Sequence, residues 1–205
     1  MKATRLILSL FGATALAATA PATLVTLDTS SLTQGGTYYV DFQLNDGSGV
    51  GNHNNTALIQ SFNFGSGAAA GSANLFGGVT GSLLTSVAMT DTDPFNEFYQ
   101  SFTAGNFLSF DLQLTNNANA PAPDIFGFAL LDVNLVNLPT FSLGTDQFLT
   151  VELTGAPLAY QTFAGVGGIP APTAVPEAGS TALLVSVAAL GLVVVRRRVR
   201  AQPAA

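Results

Sequence analysis

Three stretches of this chain alternate apolar and polar residues strictly, and that rhythm restricts the fold more than any other feature. "TYYVDFQL" places Tyr38, Val40, Phe42 and Leu44 on one side and Tyr39, Asp41 and Gln43 on the other. "NFLSFDLQL" sets Leu108, Phe110, Leu112 and Leu114 against Ser109, Asp111 and Gln113. "QFLTVELTG" sets Leu149, Val151 and Leu153 against Thr150 and Glu152. A period of two is the repeat of a β-strand with one face in a core, because successive side chains point to opposite sides. "IFGFALLDVNLV" begins apolar on both faces and then alternates, as a strand inside a sheet does. Further strands are predicted at 24–28, 57–64, 83–89 and 158–163. The connections carry turn chemistry, "NDGSG", "GSGAAAGSAN" and "NNANAPAPD". Many strands without an amphipathic helix predict an all-β fold, an antiparallel β-sandwich of jelly-roll-like type over residues 23–165. Fourteen of the chain's fifteen phenylalanines, and no tryptophan, give it a Phe/Leu/Val core.

The same region carries no positive charge. The basic residues are Lys2, Arg5, Arg196, Arg197, Arg198 and Arg200, so no lysine or arginine lies between Leu6 and Val195. Within 23–165 there are eleven acidic residues and no basic one. Such a domain cannot neutralise phosphates, which excludes nucleic acid as a partner. Anionic lipid head groups and sulfated glycans are poor partners for the same reason. The surface must be wetted by Asn, Gln, Ser, Thr and Asp, and like-charge repulsion favours a soluble monomer. There is no cysteine, so disulfides, thiolate metal sites and cysteine nucleophiles are absent.

Both ends read as addresses. "MKATRLILSLFGATALAATAPAT" has two early cations, an apolar stretch over 6–16 and small residues with Ala-x-Ala sites ending at Ala17 and Ala22. These are the parts of a secretory signal peptide, assigned to residues 1–22. At the other end, residues 178–195 measure about 27 Å as a helix, against a hydrocarbon core of about 30 Å, and 182–195 is apolar all round. Arg196, Arg197, Arg198 and Arg200 follow, and cations beside a span stay in the cytoplasm, which leaves the domain outside. The linker 166–177, "VGGIPAPTAVPE", lacks apolar periodicity and is expected to be a flexible, proline-stiffened spacer.

Val175, Pro176 and Glu177, a short apolar helix and a terminal arginine cluster together resemble the PEP-CTERM sorting signal. Ala178 stands where that motif has its second proline. The resemblance covers about thirty residues and implies export in a Gram-negative, exopolysaccharide-producing cell. It further implies transient residence in the inner membrane and removal of the tail by an exosortase-type enzyme. The logic parallels a GPI signal, whose hydrophobic tail is a temporary hold.

Candidates for chemistry are few. His53, the only histidine, sits in "GVGNHNN", and no Gly-x-Ser-x-Gly elbow accompanies it. Zinc is disfavoured with one histidine and no cysteine. Glu97 and Glu152 are the only glutamates of the domain, and a two-carboxylate glycoside hydrolase would have to use them. "TDTDPFNEF" groups Asp91, Asp93 and Glu97 as oxygen ligands for Ca²⁺, with Asp93-Pro94 opening a bend; Asp46 in "NDGSGVGN" ranks below them. Tyr39 and Tyr99 are candidates for stacking on sugar rings, although the domain lacks the tryptophan and arginine common in sugar sites. The expectation is therefore an exported, exosortase-processed cell-surface or matrix protein, structural or adhesive and without catalysis. The alternative is a calcium-assisted carbohydrate-binding module of a polysaccharide biofilm matrix, and the third reading is a glycoside hydrolase.

Overall fold

The alternating runs become the inner strands of two facing sheets. The computed structural model describes residues 21–176, and the described residues form thirteen strands and no helix. In chain order these are β1 (Thr23–Asp28), β2 (Thr37–Asn45), β3 (Thr56–Asn63), β4 (Ala68–Ala69), β5 (Asn74–Phe76), β6 (Val79–Gly81) and β7 (Ser86–Thr90). There follow β8 (Phe95–Thr103), β9 (Phe107–Leu114), β10 (Asp124–Leu131), β11 (Leu149–Leu153), β12 (Tyr160–Thr162) and β13 (Thr173–Pro176). One sheet runs β13-β1-β9-β3-β7-β6 and the other β12-β11-β10-β2-β8-β4, with β5 also paired to β8. Every pairing is antiparallel. This is an all-β sandwich of two packed antiparallel sheets.

The inward residues of both sheets meet in one core dominated by phenylalanine. Phe42 of β2 packs against Phe98, Phe126 and Phe128 within its own sheet, at centroid distances of 6.0, 6.1 and 5.6 Å. Across the core it meets Phe110 of β9 edge-on at 5.1 Å, and Phe110 meets Phe128 at 5.2 Å in the same manner. Edge-to-face contact puts the positive ring edge on the negative ring face, an arrangement that adds about 0.5–1.5 kcal/mol per pair beyond burial. The alternation holds in detail. Leu108, Phe110, Leu112 and Leu114 are buried, and so are Leu149, Val151 and Leu153.

Besides the short strands β4, β5 and β6, which the sequence placed in connections, four stretches differ from the sequence expectation. "FNEFYQSFT" forms β8, a nine-residue strand between β2 and β4, where the sequence suggested a loop beginning with a bend. Its inner face carries Asn96 and Gln100 in alternation with Phe98 and Phe102, which hides the apolar rhythm. The run predicted over 83–89 shortens to β7, because Ser82 and Thr85 close a turn before it. β10 stops at Leu131, where the Asp132 carboxylate accepts hydrogen bonds from the Asn134 and Val136 amides and turns the chain. An aspartate that captures nearby amides offers the backbone an alternative to the ladder.

The fourth difference is the expected spacer. Ile169 is buried, the Gly165 amide donates to the Ile169 carbonyl, and Thr173–Pro176 is the strand β13 on β1. Without it β1 would present a row of free amides and carbonyls along the sheet edge. Residues 1–20 of the expected signal peptide, Glu177, the apolar run 178–195 and Arg196, Arg197, Arg198 and Arg200 lie outside the described residues. Among the described residues no helix is long and apolar enough to cross a membrane.

Candidate functional site

Three strand ends meet at one pole of the sandwich, and each brings an aspartate. Asp46 follows β2, Asp91 follows β7, and Asp124 opens β10, so the six-stranded sheet supplies one carboxylate and the seven-stranded sheet two. All three side chains are buried, and one oxygen from each lies within 4.8 Å of the others.

The local backbone explains the convergence. Asp46 begins "DGSGVGN", and its carboxylate folds that loop by accepting the Ser48 amide at 2.5 Å and the Asn52 amide at 2.9 Å. The next residue must be glycine: a Cβ on Gly47 would sit 2.2 Å from the Ala122 carbonyl oxygen and 2.3 Å from that of Pro123. That close approach lets the Gly47 amide donate to Asp124 Oδ1 at 2.8 Å. Asn119 Nδ2 bridges the two carboxylates, donating to Asp46 Oδ1 at 3.1 Å and to Asp124 Oδ1 at 2.7 Å. Asn55, fully buried, donates through Nδ2 to Asp124 Oδ2 at 2.6 Å and through its backbone amide to Asp91 Oδ2 at 3.2 Å. Asp91 Oδ1 is buried and has no hydrogen-bond partner.

Charge is the unresolved quantity here. Every donor around the cluster is a neutral amide, and neutral donors orient carboxylates without cancelling their charge. Burial pushes Asp91 above the usual carboxylate range; the Asn55 amide opposes this, while the charges of Asp124 and Asp46 add to it. Asp46 is also penalised by burial, but donors from Ser48, Asn52 and Asn119 outweigh that and hold it below the usual range. Three oxygens of this kind, with no nitrogen or sulfur ligand among them, form a hard site suited to an oxygen-seeking cation.

The residues singled out in the sequence are distributed differently. Asp91 joins Asp46 and Asp124 rather than Asp93 and Glu97. Asp93 is exposed and accepts the Thr92 hydroxyl, and Glu97 lies on the outer face of β8, opposite Gln43. On that same face Tyr39 and Tyr99 come together, with ring centroids 6.2 Å apart at an angle of 64°. Between them and Glu97 stands Asp41, buried, with Oδ1 unpartnered and Oδ2 accepting from Gln43 Nε2 at 2.8 Å. Burial first and the Glu97 charge second push Asp41 up to about 7, with Gln43 opposing.

Glu152 is not part of this group. It sits on β11, three strands from β8 in the order β11-β10-β2-β8, which is about 14 Å of lateral separation. A glycosidase pair needs about 5–9.5 Å, so Glu97 and Glu152 do not form one. Val175 and Pro176, expected from the sequence to belong to a sorting motif, end β13, with Pro176 opposite Thr23. No protein-family model matches this chain, and no curated protein or solved structure does either.

Proposed function

We propose that this is an exported cell-surface or extracellular-matrix protein whose sandwich is a structural or adhesive unit without catalysis. In this reading residues 1–22 direct export, 178–200 hold the chain in the inner membrane for a time, and an exosortase-type enzyme removes the tail. The supporting observation is the β1–β13 pairing, in which Thr23 lies opposite Pro176. Both address segments therefore adjoin the domain at one place, and a body attached at one point presents the rest of its surface outward. The finer fold reading is jelly-roll-like. It is supported by the order β1-β9-β3-β7 facing β2-β8-β4, in which the chain passes between the sheets from β1 to β2 to β3 and onward. Mass spectrometry of the protein from the native cell surface is expected to show a chain starting after Ala17 or Ala22 and ending near Glu177. Intact ends on a cytosolic protein would overturn the reading.

A second reading is favoured by one observation, the Tyr39–Tyr99 pair beside Gln43, Asp41 and Glu97. Tyrosine faces stack on the C–H faces of sugars, and acceptor groups take hydroxyl protons. With no cation nearby, the fitting ligand is a neutral polysaccharide. Affinity electrophoresis through neutral glycans should show retardation that Tyr39→Ala and Tyr99→Ala each weaken; equal mobility for all three proteins would retire this reading.

A further inference from the structure

We propose that Asp46, Asp91 and Asp124 bind one calcium ion that ties the two sheets together at the pole of the sandwich. This goes beyond the export reading and does not depend on it.

Geometry comes first. Ca²⁺ takes oxygens at about 2.3–2.6 Å, so any two oxygens on one ion are no more than about 5 Å apart. The three carboxylates meet that limit with one oxygen each within 4.8 Å of the others. Smaller Mg²⁺ requires near-ideal octahedral geometry and keeps most of its water, which a site of buried, backbone-fixed carboxylates does not suit.

The second observation is independent of the clustering. Asp91 Oδ1 is enclosed on a residue with no exposed surface, and no protein donor reaches it. A buried acceptor without a partner is costly, and a buried anionic one more so. Its neighbouring oxygen accepts the Asn55 amide, which fixes the side chain in the cluster and leaves Oδ1 as the buried acceptor without a partner. A proton shared among the three would relieve part of the charge. A divalent ion relieves more of it and also satisfies Oδ1.

The third argument is elimination by composition. Clustered carboxylates in proteins are ordinarily neutralised by lysine or arginine, and residues 21–176 contain neither. Within the described domain no lysine or arginine is there to offset this charge, and His53, whose amide donates to the Asp91 carbonyl, is the one basic side chain. Because the ligands hang from β2, β7 and β10, the ion would act as a cross-link between sheets, and its binding energy would appear as folding stability.

The test uses the purified full-length chain in detergent, stripped with EGTA and then titrated with CaCl₂ or MgCl₂. Isothermal titration is expected to show one calcium per chain, and the unfolding temperature is expected to rise by several degrees, with a much smaller effect of Mg²⁺. Asp91→Asn, which keeps the shape and removes the charge, is expected to fold in EGTA and to lose the calcium response. Asp93→Asn and Glu97→Gln should keep it in full. If Asp91→Asn does not fold, the wild-type stoichiometry and the same comparison with Asp124→Asn decide. No calcium-dependent shift up to 10 mM (about tenfold above the Kd of the weakest extracellular sites) would overturn the proposal, as would an equal shift in wild type and Asp91→Asn.

Discussion

Asp41 and Phe42 are neighbours on β2 and point to opposite faces, and each carries a prediction of its own. Asp41 is pushed up to about 7 from an ordinary 3.8 by burial and by the Glu97 charge, with Gln43, Tyr39 and Tyr99 completing its surroundings. The folded chain then holds a proton that the unfolded chain releases between those two values. Its contribution to stability is complete below pH 3.8, falls as the pH rises, and is gone above about 7. Urea midpoints between pH 4.5 and 8 at fixed calcium should therefore decline for the wild type and decline less for Asp41→Asn, which should be the more stable at pH 8. Parallel profiles would show that Asp41 is not the group concerned. Phe42 touches five other phenylalanine rings, two of them on the facing sheet, Phe62 of β3 and Phe110 of β9. Phe42→Ala should cost about 3–5 kcal/mol in denaturant unfolding, the range for a large aromatic removed from a packed interior. A loss under 1 kcal/mol would mean the core collapses around the gap. At this scale the sequence was only partly legible. Alternation assigned Asp41 and Phe42 to their faces, but it could not say that an outward carboxylate would be buried between tyrosines.

Strands with an unbroken period of two were readable, and strands that carry polar residues inward were not. β2, β9 and β11 announce themselves, whereas β8 turns Asn96 and Gln100 to the interior. There Asn96 Nδ2 donates to the Leu44 carbonyl at 3.0 Å, and Gln100 Oε1 accepts the Leu83 amide at 2.8 Å. Those amides tie loops to the sheet, a purpose that a hydrophobic pattern cannot reveal. β13 was hidden differently, since "TAVP" has no pattern until β1 is there to receive it. Deleting residues 173–176 should speed hydrogen exchange in β1 and leave β9, held between β1 and β3, as protected as before. Unchanged exchange in β1 would mean that β13 adds nothing to the edge. The three aspartates belong to this scale as well. "QLNDG", "AMTDT" and "APAPDIF" each put an aspartate where a strand begins or ends, a signal present in the sequence. Only the sheet order reveals that these three ends share a pole.

The molecule is acidic overall, and its described body, residues 21–176, carries no lysine or arginine. Between residues 21 and 176 lysine and arginine are absent, so the acidic side chains act on one another by repulsion. Salt screens such pairs over about 10 Å at 0.1 M. Raising NaCl from about 20 to 500 mM should therefore increase the unfolding temperature of the calcium-free chain, contrary to the behaviour of a fold held by surface salt bridges. A fall would show that repulsion is not the dominant electrostatic effect. A two-sheet sandwich with a phenylalanine core explains why the body stays together despite that charge, and the aspartate pole is where the charge is most concentrated. The most direct measurement is a crystal structure grown in CaCl₂, with anomalous scattering used to locate calcium. The account predicts one anomalous peak per chain, about 2.3–2.6 Å from an oxygen of each of Asp46, Asp91 and Asp124. Density for a water molecule or nothing at that position, with the three carboxylates in the same place, would contradict it.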